Sequence, residues 1–361
     1  MLCDSLSGGF GITRFDGFIA ALFDAADIDF ASGVKVLEAA GRLGANLDFG
    51  IIRPAKPVKR YEHLTGFGYS TGERNPMVQE YMFESFDGTE LYGKTDSVAD
   101  PRGVVVIVHG LCEHQGRYDY LTMRLNAQGY SVYRFDHRGH GRSKGTKVFY
   151  SAFDEIAKDI DVVVDRAIAE NPESPLFIVG HSMGGYGAAL YGHLHPGKVD
   201  GYVLSGAWTR DNKGLGTGAV EADAPDLAYM PNELGDGVCS DPSVGEAYMA
   251  DPYVVKEMSF GLFRALHKGH AWMRENASRF VDPVLILHGG DDGLVAPKDS
   301  LELYEQIASW DKSLRIYAGL YHEIFNEYDK DAVIEDALDW LNLHADLEFI
   351  DVEEEEVEGD E

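Results

Sequence analysis

From about Tyr81 onward, short runs of β-branched and aromatic residues alternate with longer stretches in which apolar residues recur every three or four positions. Runs of the first kind suit strands buried on both faces, and stretches of the second kind suit helices laid on a sheet. The alternation predicts an α/β chain: a mostly parallel central sheet flanked by helices. Its predicted strands are Val104 to His109, Tyr130 to Phe135, Leu176 to Gly180, Val199 to Ser205, Val284 to His288 and Leu314 to Tyr317. Ahead of them, Tyr81 to Phe86 and Thr89 to Lys94 flank Asp87-Gly88, a dipeptide that favours a two-residue hairpin, so this pair is predicted antiparallel. Between strands, Phe153, Ile156, Ile160, Val163, Val164 and Ala167 mark a helix from Ala152 to Ala169, which Asn171-Pro172 stops. Val333, Ile334, Ala337, Leu338 and Leu341 mark a last one.

Two stretches break this rhythm. Residues 207–280 are too long for a simple crossover and rich in Tyr, Met, Phe and Trp, which predicts an inserted cap, or lid. Residues 1–76 form an N-terminal extension, expected to be partly helical from the stripe Phe18, Ile19, Leu22, Phe23 and Ala26. The core is then 77–206 with 281–345, and 346–361 is an acidic tail read as disordered, since eight of the eleven residues from Asp351 to Glu361 are acidic.

Charge narrows the function. With 61 acidic against 31 basic residues the formal net charge is −30, which repels nucleic-acid phosphates at long range. Cys3, Cys112 and Cys239 are odd in number and far apart, fitting neither a disulfide framework nor a zinc site. Asp4, Asp16, Asp24 and Asp27 interrupt any signal-peptide core, so the expected location is the cytoplasm.

The strongest chemical signal is Gly180-His181-Ser182-Met183-Gly184, which follows a buried-strand run and opens a helical pattern. In a chain with 41 glycines the pentapeptide means little alone; the strand-to-helix context makes Ser182 a candidate nucleophile on a strained turn. Serine needs a histidine to take its proton and a carboxylate to orient that histidine. Asp291 and Asp292 both follow the strand ending at His288, and spacing does not separate them. Among thirteen histidines, His322 alone lies in the loop after the last strand with the order Ser, Asp, His. The Met183 and Leu111 N–H groups, one beyond the nucleophile and one beyond the Val104 strand, are the candidate oxyanion donors. Cys112 beside them reads as a small loop residue.

Together, His109-Gly110-Leu-Cys-Glu113-His114-Gln-Gly116-Arg117-Tyr118, Asp136-His-Arg-Gly-His140-Gly-Arg142-Ser143, Gly180-His-Ser-Met-Gly184-Gly and Asp292-Gly-Leu-Val295 resemble the monoacylglycerol lipase and lysophospholipase family of serine α/β-hydrolases. The likeness runs from about Met82 to Leu343. It implies Ser182 as nucleophile, Asp292 rather than Asp291 as acid, His322 as base, and Leu111 and Met183 as oxyanion donors. Cys112 stands where the family commonly has glycine, and the segment before Met77 has no counterpart in the family core.

The expected reaction is hydrolysis of a carboxylic ester of an acyl lipid, a monoacylglycerol or lysophospholipid-like molecule, through an acyl-serine. Apolar cap residues such as Leu227, Tyr229, Met230, Tyr248, Met249, Tyr253, Met258, Phe260, Leu262, Phe263, Trp272 and Met273 are candidates for an acyl tunnel, a minority of them facing substrate. The mechanism requires no metal or nucleotide cofactor. Transient membrane or micelle contact through the cap and a homo-oligomer are the partner expectations beyond the small-molecule ester. The competing readings are an esterase or thioesterase on a non-lipid substrate and a non-catalytic binding protein.

Overall fold

The computed structural model describes residues 49–52, 76–235 and 237–346. The apolar stripe at Phe18 to Ala26 and the acidic run from Asp351 lie outside them. In chain order the strands are β1 (Phe49–Ile52), β2 (Met77–Glu84), β3 (Glu90–Ser97), β4 (Gly103–Val108), β5 (Tyr130–Phe135), β6 (Leu176–His181), β7 (Gly201–Ser205), β8 (Tyr229–Pro231), β9 (Glu257–Ser259), β10 (Val284–Gly289) and β11 (Lys312–Tyr317). The helices are α1 (Asp119–Ala127), α2 (Glu155–Glu170), α3 (Met183–Leu194), α4 (Thr217–Glu221), α5 (Pro242–Ala250), α6 (Phe260–Glu275), α7 (Pro297–Gln306) and α8 (Lys330–Ala345).

Eight strands from β2 onward, excluding the β8–β9 ribbon, build a sheet ordered β11-β10-β7-β6-β4-β5-β3-β2, and β1 adds to it beside β11. β3 alone runs antiparallel to its neighbours. Every residue of β4, β5, β6, β7 and β10 is buried, which is why β4, β6 and β10 open as apolar runs rather than alternating ones, while β5 buries Ser131 and Arg134 within its length. Alternation survives in where each side chain goes. Val104, Val106 and Val108 pack on one face with Ile156, Ile160 and Val164 of α2 and with Leu303 of α7. Val105 and Ile107 pack on the other with Leu121 and Leu125 of α1 and with Val333, Ile334, Leu338 and Leu341 of α8. Covering both faces is what a parallel sheet demands, and it leaves the loops at the strand ends as the places where polar chemistry can reach solvent.

The hairpin between β2 and β3 is antiparallel as predicted, but its turn is not the two-residue type. Gly88 N–H donates to the Ser85 carbonyl at 3.0 Å, Ser85 N–H to that of Thr89 at 2.8 Å, and Gly88 has φ 82°. This is a three-residue loop closed by a left-handed glycine, and Asp87 reinforces it by accepting from Thr89 N–H at 3.1 Å.

Between β7 and β10 the chain leaves the sheet and builds α4, the β8–β9 ribbon, α5 and α6. α6 does not stand apart from the core. Leu262, Phe263, Leu266 and Met273 belong to the same apolar cluster as α2 and α3, and the Tyr186 ring lies 5.3 Å from that of His270. The periodicity of residues 260–273 therefore reports packing on the core and not the wall of a tunnel. No helix among the described residues is long and apolar enough to cross a membrane.

Candidate active site

β6 delivers its last residue, His181, directly to Ser182, and α3 begins at Met183. Ser182 adopts φ 54°, ψ −117°, a conformation that an L-residue holds only when its surroundings impose it. They do so through backbone: Ser182 N–H donates to the Ser205 carbonyl at 2.9 Å, and the Ser182 carbonyl accepts from Tyr186 N–H at 2.9 Å and Trp208 N–H at 3.1 Å. The flanking glycines are needed for close approach. A Cβ on Gly184 would lie 2.1 Å from the Val108 carbonyl oxygen, and one on Gly180 would lie 2.5 Å from that of Gly184.

Three loops at the carboxyl ends of β6, β10 and β11 bring Ser182, Asp292 and His322 together. His322 Nε2 is 2.8 Å from Ser182 Oγ, and His322 Nδ1 is 2.7 Å from Asp292 Oδ2. A carboxylate only accepts, so Nδ1 carries the proton and Nε2 is left as the acceptor facing the serine hydroxyl. Asp291, its neighbour, is exposed, whereas Asp292 is buried. Asp292 Oδ1 accepts from the N–H groups of Leu294 (2.8 Å) and Val295 (2.9 Å). Behind it, His288 Nε2 lies 3.1 Å from Oδ2, its other nitrogen bonded to Ser300 Oγ at 2.7 Å. Burial alone would raise the Asp292 carboxyl, but the two histidines and these donors hold it far below the usual carboxylate range. His322 moves the other way: burial disfavours its cation, yet the charge and hydrogen bond of Asp292, with the charges of Glu323 and Glu113, together outweigh burial and raise its pKa.

The two candidate oxyanion donors occupy the expected places. Met183 is the first residue of α3, and Leu111 follows Gly110 in the turn after β4. Gly110 passes so close to the nucleophile that a Cβ there would meet Ser182 Cβ at 3.2 Å. Its own N–H is spent on Glu113 Oε1, and its carbonyl accepts from His109 Nδ1 at 2.8 Å. His109 Nε2 in turn accepts from His137 N–H at 2.9 Å, so the Asp136-to-Ser143 motif serves as a buried brace for this loop. Burial keeps His137 and His140 neutral, with pKa values lowered to about 3 and about 4.

Cys112 has φ 64°, in the left-handed region, where the absence of a side chain costs least; this explains why glycine is the residue expected there. Its thiol is fully buried and burial raises its pKa far above the ordinary range. Val255 N–H, from the excursion between β7 and β10, donates to its carbonyl at 2.8 Å. Native protein treated with iodoacetamide and mapped by peptide mass should therefore leave Cys112 unmodified, and labelling as fast as in urea would refute this closed arrangement.

Ser182 opens into a narrow cleft of about 30 Å³. Its lining mixes apolar side chains, Trp208, Leu215, Leu234, Val238, Tyr248 and Leu294, with polar ones, Glu113, Arg117, His181 and Glu323. Of the residues proposed for an acyl tunnel only Tyr248 is among these linings. Met258, Leu262, Phe263 and Met273 are buried elsewhere, and Leu227, Tyr229, Met249 and Tyr253 are exposed on the surface. Sequence reasoning also missed His288, Glu323 and the part played by Arg117. Lys213, which donates to the Asp292 carbonyl at 2.8 Å, gave no signal at all.

Comparison with known proteins places the chain in a family. Residues 99–329 match the model of the Hydrolase_4 family, described as serine aminopeptidase, S33. The chain belongs to this family of serine hydrolases. It is 37% identical over 273 residues to the monoacylglycerol lipase of Mycolicibacterium smegmatis, covering 73% of this chain and 97% of that protein. It is 30% identical over 310 residues to the monoglyceride lipase of Saccharomyces cerevisiae, covering 75% and 96%. Among solved structures, the monoacylglycerol lipase of Paleococcus ferrophilus superposes with a TM-score of 0.63 at 30% identity over 70% of this chain and 99% of that one. A soluble variant of the Saccharomyces enzyme, crystallised with a substrate analog, gives 0.65 at 26% identity over 77% and 99%. This hydrolase thus has the α/β-hydrolase fold that its motifs predict.

Proposed function

We propose that this hydrolase cleaves carboxylic esters of acyl lipids, monoacylglycerol or lysophospholipid-like, with Ser182 as nucleophile, His322 as general base and Asp292 as its orienting acid. The observation that carries the reading is the continuous Ser182–His322–Asp292 hydrogen-bond chain, with Ser182 opening into a cleft lined by both apolar and polar side chains. Ser182 Oγ attacks the ester carbonyl as its proton passes to His322 Nε2, and the N–H groups of Leu111 and Met183 receive the oxyanion. His322 then protonates the departing alcohol and activates the water that releases the fatty acid. The apolar side chains of the lining suit the acyl chain and the polar ones the alcohol. Relatives named as monoacylglycerol and monoglyceride lipases support the substrate class. We assign the excursion 207–280 as the cap, 77–206 with 281–345 as the core, and the cytoplasm as the location. The exposed Leu227, Met249 and Tyr253 are where the cap would touch a micelle or membrane.

The family description invites a second reading as an aminopeptidase. Such an enzyme needs a carboxylate free to receive a substrate ammonium near the nucleophile. Glu113 and Glu323 are the carboxylates lining the cleft, and Arg117 engages both, at 2.5 Å and at 2.9 and 2.7 Å. That engagement favours the ester.

The test is intact-mass analysis of the chain treated with a fluorophosphonate, followed by fatty-acid release from monoacylglycerol and lysophospholipid against an acetyl ester. A single adduct with release rising toward longer acyl chains is expected; activity that falls steadily beyond acetyl would remove the lipid assignment. The pH profile carries its own sign. His322 works as a base only when neutral and its pKa is raised, so kcat/KM should fall as pH drops through a limb centred above 6.5. A limb centred well below 6.5 would contradict this coupling to Asp292.

A further inference from the structure

We propose that Arg117 is a positioning residue: by gripping Glu113 and Glu323 together, it sets the oxyanion loop in register with the loop that carries His322. The proposal rests on the roles assigned above to Ser182, His322 and Leu111.

Arg117 reaches Glu113 Oε2 through Nη1 and holds Glu323 as a fork, Nη1 to Oε1 at 2.9 Å and Nη2 to Oε2 at 2.7 Å. All three side chains are largely buried, at 12%, 4% and 7% exposure. Each carboxylate passes the constraint on. Glu113 Oε1 accepts from Gly110 N–H and from Tyr118 O–H at 2.6 Å, which fixes the peptide immediately before the Leu111 donor. Glu323 directly follows His322, and its N–H is tied to the Val238 carbonyl at 2.8 Å. A planar guanidinium imposes geometry on both partners, which an ammonium does not. Its face also lies 5.0 Å from the Tyr248 ring centroid, so one wall of the cleft packs on the same cation.

Charge explains why an arginine is required. Burial would raise the Glu113 carboxyl; Arg117, the largest opposing influence, together with His181, Tyr118 and the Gly110 N–H more than offsets this and holds it ionised. Without the cation, two buried carboxylates face one another and repel, so the oxyanion loop and the His322 loop are no longer held in one geometry. His322 is faced by Asp292, with His288 behind it, from the β10 side, by His181 from β6, by Glu113 and Arg117 from the segment after β4, and by Glu323 on its own loop. Removing Arg117 strengthens the negative field of the two glutamates at His322, and neutralising Glu323 weakens it.

The experiment uses the full chain with p-nitrophenyl butyrate, active sites being counted by fluorophosphonate adduct mass. Variants are Arg117→Gln, Arg117→Lys, Glu323→Gln and, as the reference for the catalytic assignment, Ser182→Ala. Arg117→Gln should lower kcat per labelled site by about 10- to 100-fold, short of the loss from deleting a donor outright. KM should stay within about twofold, because the lost interaction acts in the transition state. Its acid limb should move to higher pH and that of Glu323→Gln to lower pH. Arg117→Lys should return the limb toward the native position while recovering kcat only in part. Unchanged kcat and an unmoved limb in Arg117→Gln and Arg117→Lys would overturn the proposal. If Arg117→Gln does not fold, native kcat and limb in both Arg117→Lys and Glu323→Gln overturn it equally. Turnover or labelling retained by Ser182→Ala would instead refute the catalytic assignment, whatever Arg117 does.

Discussion

Ser182→Ala should leave a folded protein whose kcat falls by about 10⁶, the size of loss seen when a triad nucleophile is removed. The fold should survive because the hydroxyl is not what imposes the strained backbone. Main-chain bonds to Ser205, Tyr186 and Trp208, with the tight packing of Gly180 and Gly184, hold that conformation, and alanine keeps every one of them. What disappears is the only atom bonded to His322 Nε2 in the resting site. Circular dichroism and thermal melting should match the native chain while ester turnover and fluorophosphonate adduct vanish. A folded variant turning over within tenfold of native would rule out Ser182 as nucleophile.

Asp292→Asn should cost about 10⁴ in kcat with the protein still folded, the loss expected when a triad histidine is held in the wrong tautomer. Asp292 has four acceptor positions and all are used: Leu294 and Val295 N–H on one oxygen, His322 and His288 on the other. An asparagine keeps its carbonyl toward the two main-chain N–H groups and turns its NH₂ toward the two imidazoles. His322 must then offer a bare Nδ1, which places its proton on Nε2, facing Ser182. His288 cannot relieve the clash by moving its proton, since its Nε2–H is also held by the Val295 carbonyl at 3.1 Å. The loss should appear in kcat far more than in KM, measured on a short soluble ester; a loss below about 100-fold would mean that Asp292 does not set the tautomer.

Much of this was legible in the chain, for reasons that differ by residue. Ser182 announced itself because a nucleophile on a strand-to-helix turn requires glycines at short, fixed spacing, which is local information. His322 was found by topology, as the histidine after the last strand. Asp292 was separated from Asp291 by resemblance alone; burial, the physical reason for the choice, is a property of the folded chain. Arg117 and Glu323 escaped because they meet across 206 residues, a contact that nothing in the flanking sequence reports, and His288 because it reads as the end of a buried strand although Asp292 lies four residues on. The hairpin turn was misread because Asp87-Gly88 serves two turn types, and Ser85 and Thr89 decide between them. Of the apolar cap residues expected to contribute a minority to the cleft, Tyr248 lines it, and the sequence did not single it out, since an apolar stripe at helical spacing does not say which surface it meets; α6 met Tyr186 and α3.

The excursion between β7 and β10 starts and ends on adjacent strands of the sheet. Lengthening or replacing it therefore disturbs neither strand order nor register, and the entropic cost of a longer loop grows only logarithmically. Two ties that hold it over the site, Val255 N–H to the Cys112 carbonyl and the Val238 carbonyl to Glu323 N–H, are main-chain bonds that nearly any sequence can supply. The part of the cleft carried ahead of α6, with Leu215, Leu234, Val238 and Tyr248, can thus drift while α6 stays in the core and the reacting atoms stay fixed, which makes substrate range the most evolvable property of this protein and its chemistry the least.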